Sequence, residues 1–238
     1  MNRILYDLAA ADDRIRFSPY CWRIRMALAH KGLACETVPW RFTDKSAIAF
    51  AKTDRVPVLV DGEVVVTDSM VIADYLDANY PDHPLLGDAP SRAHAMFVRH
   101  WTESILFPQI TRQIIGELVH QLHEKDRDYF RRTREARLGQ SLEEFSKRRE
   151  ASLPELYAAL QPLRLLLPQQ PFIGGEQPSF ADYIVFAALQ WARCGVGRIL
   201  VHEGDPVYAW FDRLLHMYDG LGAKAHCAGL PEHTRTSS

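Results

Sequence analysis

The 238-residue sequence predicts an α/β unit with the element order βαβαββα, followed by an all-helical unit. Three observations carry that expectation. Short β-like runs alternate with helical ones up to about residue 80, and a single clear hairpin signal, Asp61-Gly62, sits among them. Residues 81–90 hold three prolines and no helical period, which is the composition of a connector. From residue 91 on, nearly every stretch has helical spacing and no second hairpin signal occurs. The expected division is therefore 1–80, a linker at 81–90, and 91–238.

The elements follow in order. Residues 3–8 read as a strand. Residues 18–31 read as a helix with strong boundary signals: Ser18 can cap, Pro19 suits the first helical position, and Gly32 can take the left-handed position beyond the end. Residues 35–40 read as a second strand and 46–52 as a short helix. Residues 56–60 and 63–66 form the hairpin, because Asp-Gly supplies the positive φ a two-residue turn demands. A helix opened by Asp68-Ser69 runs to Tyr80, with Ile72, Tyr75, Leu76 and Tyr80 on one face, and Pro81 stops it. Helices are then expected over 92–120, 127–147, 153–167, 179–193 and 206–218. Ser179 and Asp182 have the spacing of a capping box.

Composition narrows the function classes. Lys and Arg number 28 against 30 Asp and Glu, so the chain has no overall basic field with which to hold a nucleic acid. The arginine-rich run from Arg127 to Arg149 is interleaved with Asp128, Glu135, Glu143 and Glu144, which reads as a helical face laced with salt bridges. The longest apolar stretch, residues 183–189, is far short of the ~18–20 residues that span a bilayer, so no membrane partner is expected. The first ten residues carry one Arg and no long apolar core, unlike a signal peptide. The four cysteines are scattered, and His120 and His123 lack a third ligand at useful spacing, so no metal is expected.

Three short motifs can carry chemistry. Ser18-Pro19-Tyr20-Cys21 places a hydroxyl and a thiol at a helix N-terminus, where partial positive charge and free N–H groups stabilise a thiolate or another anion; Ser18 as a plain cap is the alternative. Val56-Pro57 begins a strand. A trans bond there marks an edge, whereas a cis bond exposes the Val56 N–H and C=O to an extended peptide. Asp68-Ser69 either caps the helix after it or holds an α-amino-acid group, carboxylate at the helix end and ammonium on Asp68.

Taken together, in this order and on this frame, the three motifs resemble the glutathione transferases over essentially the whole chain. The resemblance implies a thioredoxin-like first domain and a helical second one, with glutathione as co-substrate. It implies Ser18 as the thiol-activating group, Val56 and Pro57 on the cysteinyl backbone, and Asp68 and Ser69 on the γ-glutamyl end. Lys45 is the candidate for the glycyl carboxylate, with Arg55 as its competitor. Tyr20 and Trp101 are candidates to line a pocket for a small hydrophobic electrophile. A homodimer and a cytoplasmic location are implied by the likeness alone. Ser-Pro-Tyr-Cys also looks like a glutaredoxin motif with its attacking Cys replaced by Ser, which counts against a Cys21-dependent oxidoreductase. A non-catalytic relative with a vestigial site is the other rival. Within the family, the loop 9–17, Ser18 through Arg23, Arg55-Val56-Pro57, Arg127 through Arg131 and Arg134-Glu135 resemble the bacterial β-aryl-etherase-type transferases.

Overall fold

The computed structural model describes residues 3–230. Strands β1 (Arg3–Leu8), β2 (Glu36–Trp40), β3 (Val58–Asp61) and β4 (Val64–Thr67) form one sheet in the order β2-β1-β3-β4. The β1–β2 pair is parallel, joined through helix α1 (Pro19–His30), while β1–β3 and β3–β4 are antiparallel. Helix α2 (Ser69–Asn79) completes the expected βαβαββα order, with the short second helix realised as a 3₁₀ segment, Lys45–Ala51. The hairpin differs from expectation by one residue. Asp61 pairs with Val64, so the two turn residues are Gly62 and Glu63, with Gly62 alone at positive φ, 63°. A single glycine in the first turn position is what a II′-type hairpin requires.

The residues between α2 and the next helix, 80–88, are anchored, and that helix begins at Ala89, inside the stretch expected as a connector. The Asp77 carboxylate accepts from the N–H groups of Leu85 and Leu86, each at 2.8 Å, and from Lys31 Nζ at 2.6 Å. Leu85 and Leu86 are buried. The helices that follow are α3 (Ala89–Trp101), α4 (Phe107–Gln121), α5 (Glu124–Leu138), α6 (Leu142–Lys147), α7 (Leu153–Ala159), α8 (Gln161–Leu166), α9 (Phe180–Val196) and α10 (Pro206–Gly220). Three long helices of the sequence reading are thus subdivided. A π-helical turn, Thr102–Leu106, joins α3 to α4 without a break in the rod. Gly139 at φ 70° ends α5. Leu160 and Pro162 separate α7 from α8.

Helix α9 is the central element. Fifteen of its residues, from Phe180 to Gly195, are buried, which is the pattern of a helix apolar on all sides and packed all round. Its N-terminus carries the expected capping box. Asp182 accepts from Ser179 N at 2.9 Å, Ile173 N at 2.7 Å, Gly174 N at 2.9 Å and Trp210 Nε1 at 2.9 Å, so its buried carboxylate has four donors. α1 lies on α9 through Trp22 and Phe186, ring centroids 6.3 Å apart. A buried face of α1 on a buried face of α9 fixes the sheet against the helical bundle. Among the described residues no helix is long and apolar enough to cross a membrane.

Candidate active site

Strand register brings the sequence candidates to one end of the sheet. Leu8, at the carboxyl end of β1, pairs with Trp40 of β2, so the chain leaving β2 toward Lys45 starts beside it. The Leu8 carbonyl accepts from Phe17 N at 3.4 Å, which places Ser18 next to the same strand end. Tyr6 pairs with Val58, so Val56 and Pro57 precede β3 alongside Leu8. Val58 in turn pairs with Thr67, and Asp68 and Ser69 follow directly. Four stretches remote in sequence therefore converge because parallel and antiparallel pairing end at the same level.

Ser18 is the N-cap of α1. Its Oγ accepts from Cys21 N at 3.3 Å, so its own proton is left to donate, and no acidic residue lies in the first turn of α1 to offset the positive helix end. The residue is 4% exposed. Cys21 is fully buried, and burial followed by the nearby Asp7 carboxyl pushes its thiol well above the ordinary value. A thiol held neutral in this way is a poor nucleophile. Asp7 itself is fully buried, with Arg25 Nη1 3.7 Å from Oδ2, and its burial raises its pKa. Asp7 was not among the sequence candidates, since a lone Asp in a strand carries no motif.

The Val56–Pro57 bond is cis, and among the described residues no hydrogen bond takes up the Val56 N–H or C=O. Asp68 caps α2, its Oδ1 accepting from Met70 N at 2.8 Å and Val71 N at 3.3 Å. Its backbone sits at φ 70° and ψ 132°, a region that glycine normally occupies and that costs a side-chain-bearing residue ~1–3 kcal/mol. Ser69 is 2% exposed, and its hydroxyl has no hydrogen-bond partner among the described residues. An orphaned hydroxyl beside the free N–H groups of a helix start fits a ligand carboxylate. The opposite side of Asp68 meets Arg99 of α3, Nη2 to Oδ2 at 3.8 Å. Arg99 also bonds Glu103 of the π turn at 3.2 Å, and Glu103 accepts from the buried Arg23 of α1 at 2.9 Å. This chain of charges ties the helical bundle to the start of α2, and no local pattern in the sequence announces it.

Lys45 is partly committed within the protein. Its Nζ donates to Asp54 O at 2.7 Å and Oδ2 at 3.2 Å, and lies over the Trp40 and Tyr129 rings at 5.5 and 5.3 Å. Arg55 is largely exposed and only 3.6 Å from Asp54. Tyr20 meets Phe107 edge to face at 5.7 Å, and Phe107 meets Trp191 at 5.7 Å. Trp101 is half-buried against the hydrophobic core and does not join that ring set. The ring partners of Tyr20 are therefore Phe107, edge to face, and the Arg23 guanidinium, 4.7 Å above its ring. A cavity of about 470 Å³ lies elsewhere, bounded by Arg16, Arg25, Thr37, Tyr218 and Lys224 among others, and includes none of the candidates. Among the described residues no cluster of three or more His, Cys, Asp or Glu could hold a metal ion.

Comparison with known proteins bears on what this arrangement is. Residues 14–84 match the family model for the glutathione S-transferase N-terminal domain, and residues 92–215 match that for the C-terminal domain. The chain belongs to the glutathione S-transferase family. A probable glutathione S-transferase of Glycine max is 26% identical over 238 aligned positions, covering 87% of this chain and 92% of that protein. Glutathione S-transferase Z2 of Arabidopsis thaliana is 42% identical over a shorter stretch, 37% of this chain and 40% of that protein. Among solved structures, glutathione transferase GSTFuA3 of Phanerochaete chrysosporium superposes with a TM-score of 0.81 at 24% identity, over 90% of this chain and 96% of that one. A glutathione S-transferase of Ceriporiopsis subvermispora, solved in complex with glutathione, superposes at 0.76 with 22% identity, over 92% and 97%. At these identities the structural likeness speaks for the fold: a thioredoxin-like α/β domain followed by a helical one.

Proposed function

We propose that this transferase-family chain binds glutathione along the carboxyl end of its sheet and activates the thiol for attack on an apolar, aromatic electrophile. The unit 1–80 supplies the glutathione site, 81–90 joins the units, and 91–238 covers the acceptor side. The observation that carries this reading is the Ser69 hydroxyl, buried without a partner at the start of α2, on the sheet end that also holds Ser18, Val56 and Pro57. Ser69 and the α2 N–H groups would take the γ-glutamyl carboxylate, and Asp68 the ammonium. The Val56 backbone would pair with the cysteinyl residue. Lys45, and failing it Arg55, would meet the glycyl carboxylate.

Ser18 would donate its hydroxyl proton to the glutathione sulfur, with the α1 dipole adding to the effect. Lowering a thiol pKa by one unit takes ~1.4 kcal/mol of differential stabilisation. A hydrogen bond to an anion supplies ~1.5–3 kcal/mol and a helix end ~0.3–1 kcal/mol, enough for one to three units. Tyr20 and Phe107 offer the acceptor an aromatic wall, and Trp101 a more distant one. The finer expectation of ether cleavage rests on the sequence likeness of 9–17, 18–23, 55–57, 127–131 and 134–135 to the β-aryl-etherase-type enzymes. A homodimer and a cytoplasmic location accompany the family reading. Isothermal calorimetry with glutathione tests the binding half: no heat of binding would make this a vestigial site. An assay with benzylic and aryl ether acceptors against small disulfides tests the chemistry. Thioether product is the expected outcome, and disulfide reduction without it would move the chemistry to a cysteine.

A further inference from the structure

Helix α5 carries arginines in two different situations. Arg131 is fully engaged, with Glu135 at 2.9 Å and Glu143 at 2.8 Å. Arg134 is not paired with any acid among the described residues. Its Nη1 donates to Thr133 Oγ1 at 2.8 Å, and the guanidinium lies over the rings of Phe42 and Phe130, 4.9 and 4.6 Å from their centroids. Half-buried cations normally have a counter-charge, because desolvation of an ion is costly unless something offsets it. Here the neighbouring cations Arg137 and Arg55 act against the charge, and only the Tyr129 phenol acts in its favour. Burial first, and Arg137 second, push the Arg134 pKa down to about 10, and Arg55 pushes the same way. The acids of this region are committed to other partners: Glu103 to Arg23 and Arg99, Asp54 to Lys45, Asp68 to the α2 N–H groups and Arg99.

The location is also informative. Phe42, under Arg134, touches Phe17 at 6.5 Å between centroids, and Phe17 directly precedes Ser18. Asp126 at the start of α5 pins this contact by accepting from Phe42 N at 3.1 Å and Thr43 N at 2.9 Å. The Arg134 guanidinium, without a carboxylate partner among the described residues, thus lies one ring beyond Phe17, next to the start of α1 where Ser18 stands.

We propose that Arg134 binds a carboxylate carried by the acceptor, so that the substrate class is an aromatic electrophile bearing an acid group. The inference rests on the transferase reading above. In the reaction the glutathione sulfur forms a bond to the benzylic carbon, the leaving group departs with its electron pair, and the thiol proton passes to solvent.

The test compares para-chloromethylbenzoate with its methyl ester, chloride being the leaving group in both. The wild-type enzyme should favour the acid. Arg134→Gln should lower kcat/KM for the acid roughly 10- to 100-fold, the loss of a charged hydrogen bond, while leaving the ester and the glutathione KM within about threefold. Arg131→Gln, which removes an engaged arginine, should not change the acid-to-ester ratio. Equal use of acid and ester by the wild type would overturn the proposal. So would a rise in glutathione KM with both electrophiles, because that assigns Arg134 to the glycyl carboxylate. Calorimetry with para-methylbenzoate, which has no leaving group, reads the anion site without turnover. Its affinity should fall by a similar factor in Arg134→Gln, and failure to bind the wild type would overturn the proposal. Absence of turnover with both chlorides, with para-methylbenzoate binding intact, would sink the transferase reading and leave the anion site standing.

Discussion

Two helix starts in this molecule use the same pair of residue types, one Ser and one Asp, to opposite ends. At α9, Ser179 and Asp182 close on each other, and Asp182 gathers four donors in the protein interior. Nothing there is left to bind a ligand. At α2, Asp68 is bent into a left-handed backbone and caps two N–H groups, while the Ser69 hydroxyl is buried without a partner. The first arrangement is complete by itself and stabilises the bundle. The second is incomplete by itself, and a bound carboxylate would complete it. Satisfied polar groups therefore report on folding and unsatisfied ones on binding, even where the local motifs look alike. The start of α1 lies between these extremes, with Ser18 accepting one bond from its own helix and retaining a proton to give.

Substitutions can break or sharpen that contrast. The largest effect is expected at the closed end. Asp182→Ala leaves the N–H groups of Ile173, Gly174, Ser179 and Trp210 without their acceptor. At ~1–3 kcal/mol for each buried donor that finds no water, a loss of about 3–5 kcal/mol in urea unfolding is expected. Glutathione affinity measured on the folded fraction should not move. A specific loss of affinity would remove the distinction drawn here. Next is Ser18→Ala, for which turnover should fall roughly 10- to 100-fold with a raised apparent thiol pKa, since ~1.5–3 kcal/mol of thiolate stabilisation is gone. Turnover followed against pH checks it, and a loss of stability without loss of rate would make Ser18 a cap only.

A smaller effect belongs to Ser69→Ala. Calorimetry should show glutathione binding weakened by ~1–3 kcal/mol, with the melting temperature unchanged or slightly raised, because the orphaned hydroxyl contributes nothing to the free protein. The reverse pattern, lost stability and unchanged affinity, would place α2 beside α9 as a purely structural start. The smallest effect is expected for Cys21→Ser, within a few-fold of the wild-type rate. Burial and Asp7 push the Cys21 thiol up, so at neutral pH it is protonated and holds no nucleophilic thiolate to lose. A dead Cys21→Ser enzyme would replace the mechanism with a cysteine-centred one.

The chain order of the first elements, the α1 boundaries, the Asp68 cap and the Ser179–Asp182 box were all legible because each depends on residues within a few positions of one another. Caps, turns and periodicity are short-range physics. The misplaced hairpin turn, read as Asp61-Gly62 and found at Gly62-Glu63, is the limit of that approach: turn chemistry names the glycine, and only strand pairing sets the register. The expected salt-bridge-laced face on α5 holds for Arg131 and fails for Arg134. Arg131 has Glu135 four positions on and on the same face, whereas the only Glu within four positions of Arg134 is its immediate neighbour, which points elsewhere, and the docking of α5 on Phe42 gives Arg134 its aromatic partners.

By itself, then, the sequence determined which regions are strand-bearing and which helical, the order of the first elements, and which side chains stand at the starts of α1, α2, α9 and α10. It also kept the apolar stripe of α9 continuous enough to make that helix the centre of the bundle. Only the tertiary structure decided that Leu8 pairs with Trp40 on one side and leads toward Val56 on the other, so that four separate segments end at one level. It likewise decided that Arg99 reaches Asp68, that Cys194 and Cys227 lie 3.7 Å apart, and that Ser69 is buried without a partner while Asp182 has four. The physical reason is common to all of these. Most of these contacts join residues tens of positions apart, and such contacts form only when buried faces of whole elements pack together, a global condition that no window of the chain contains.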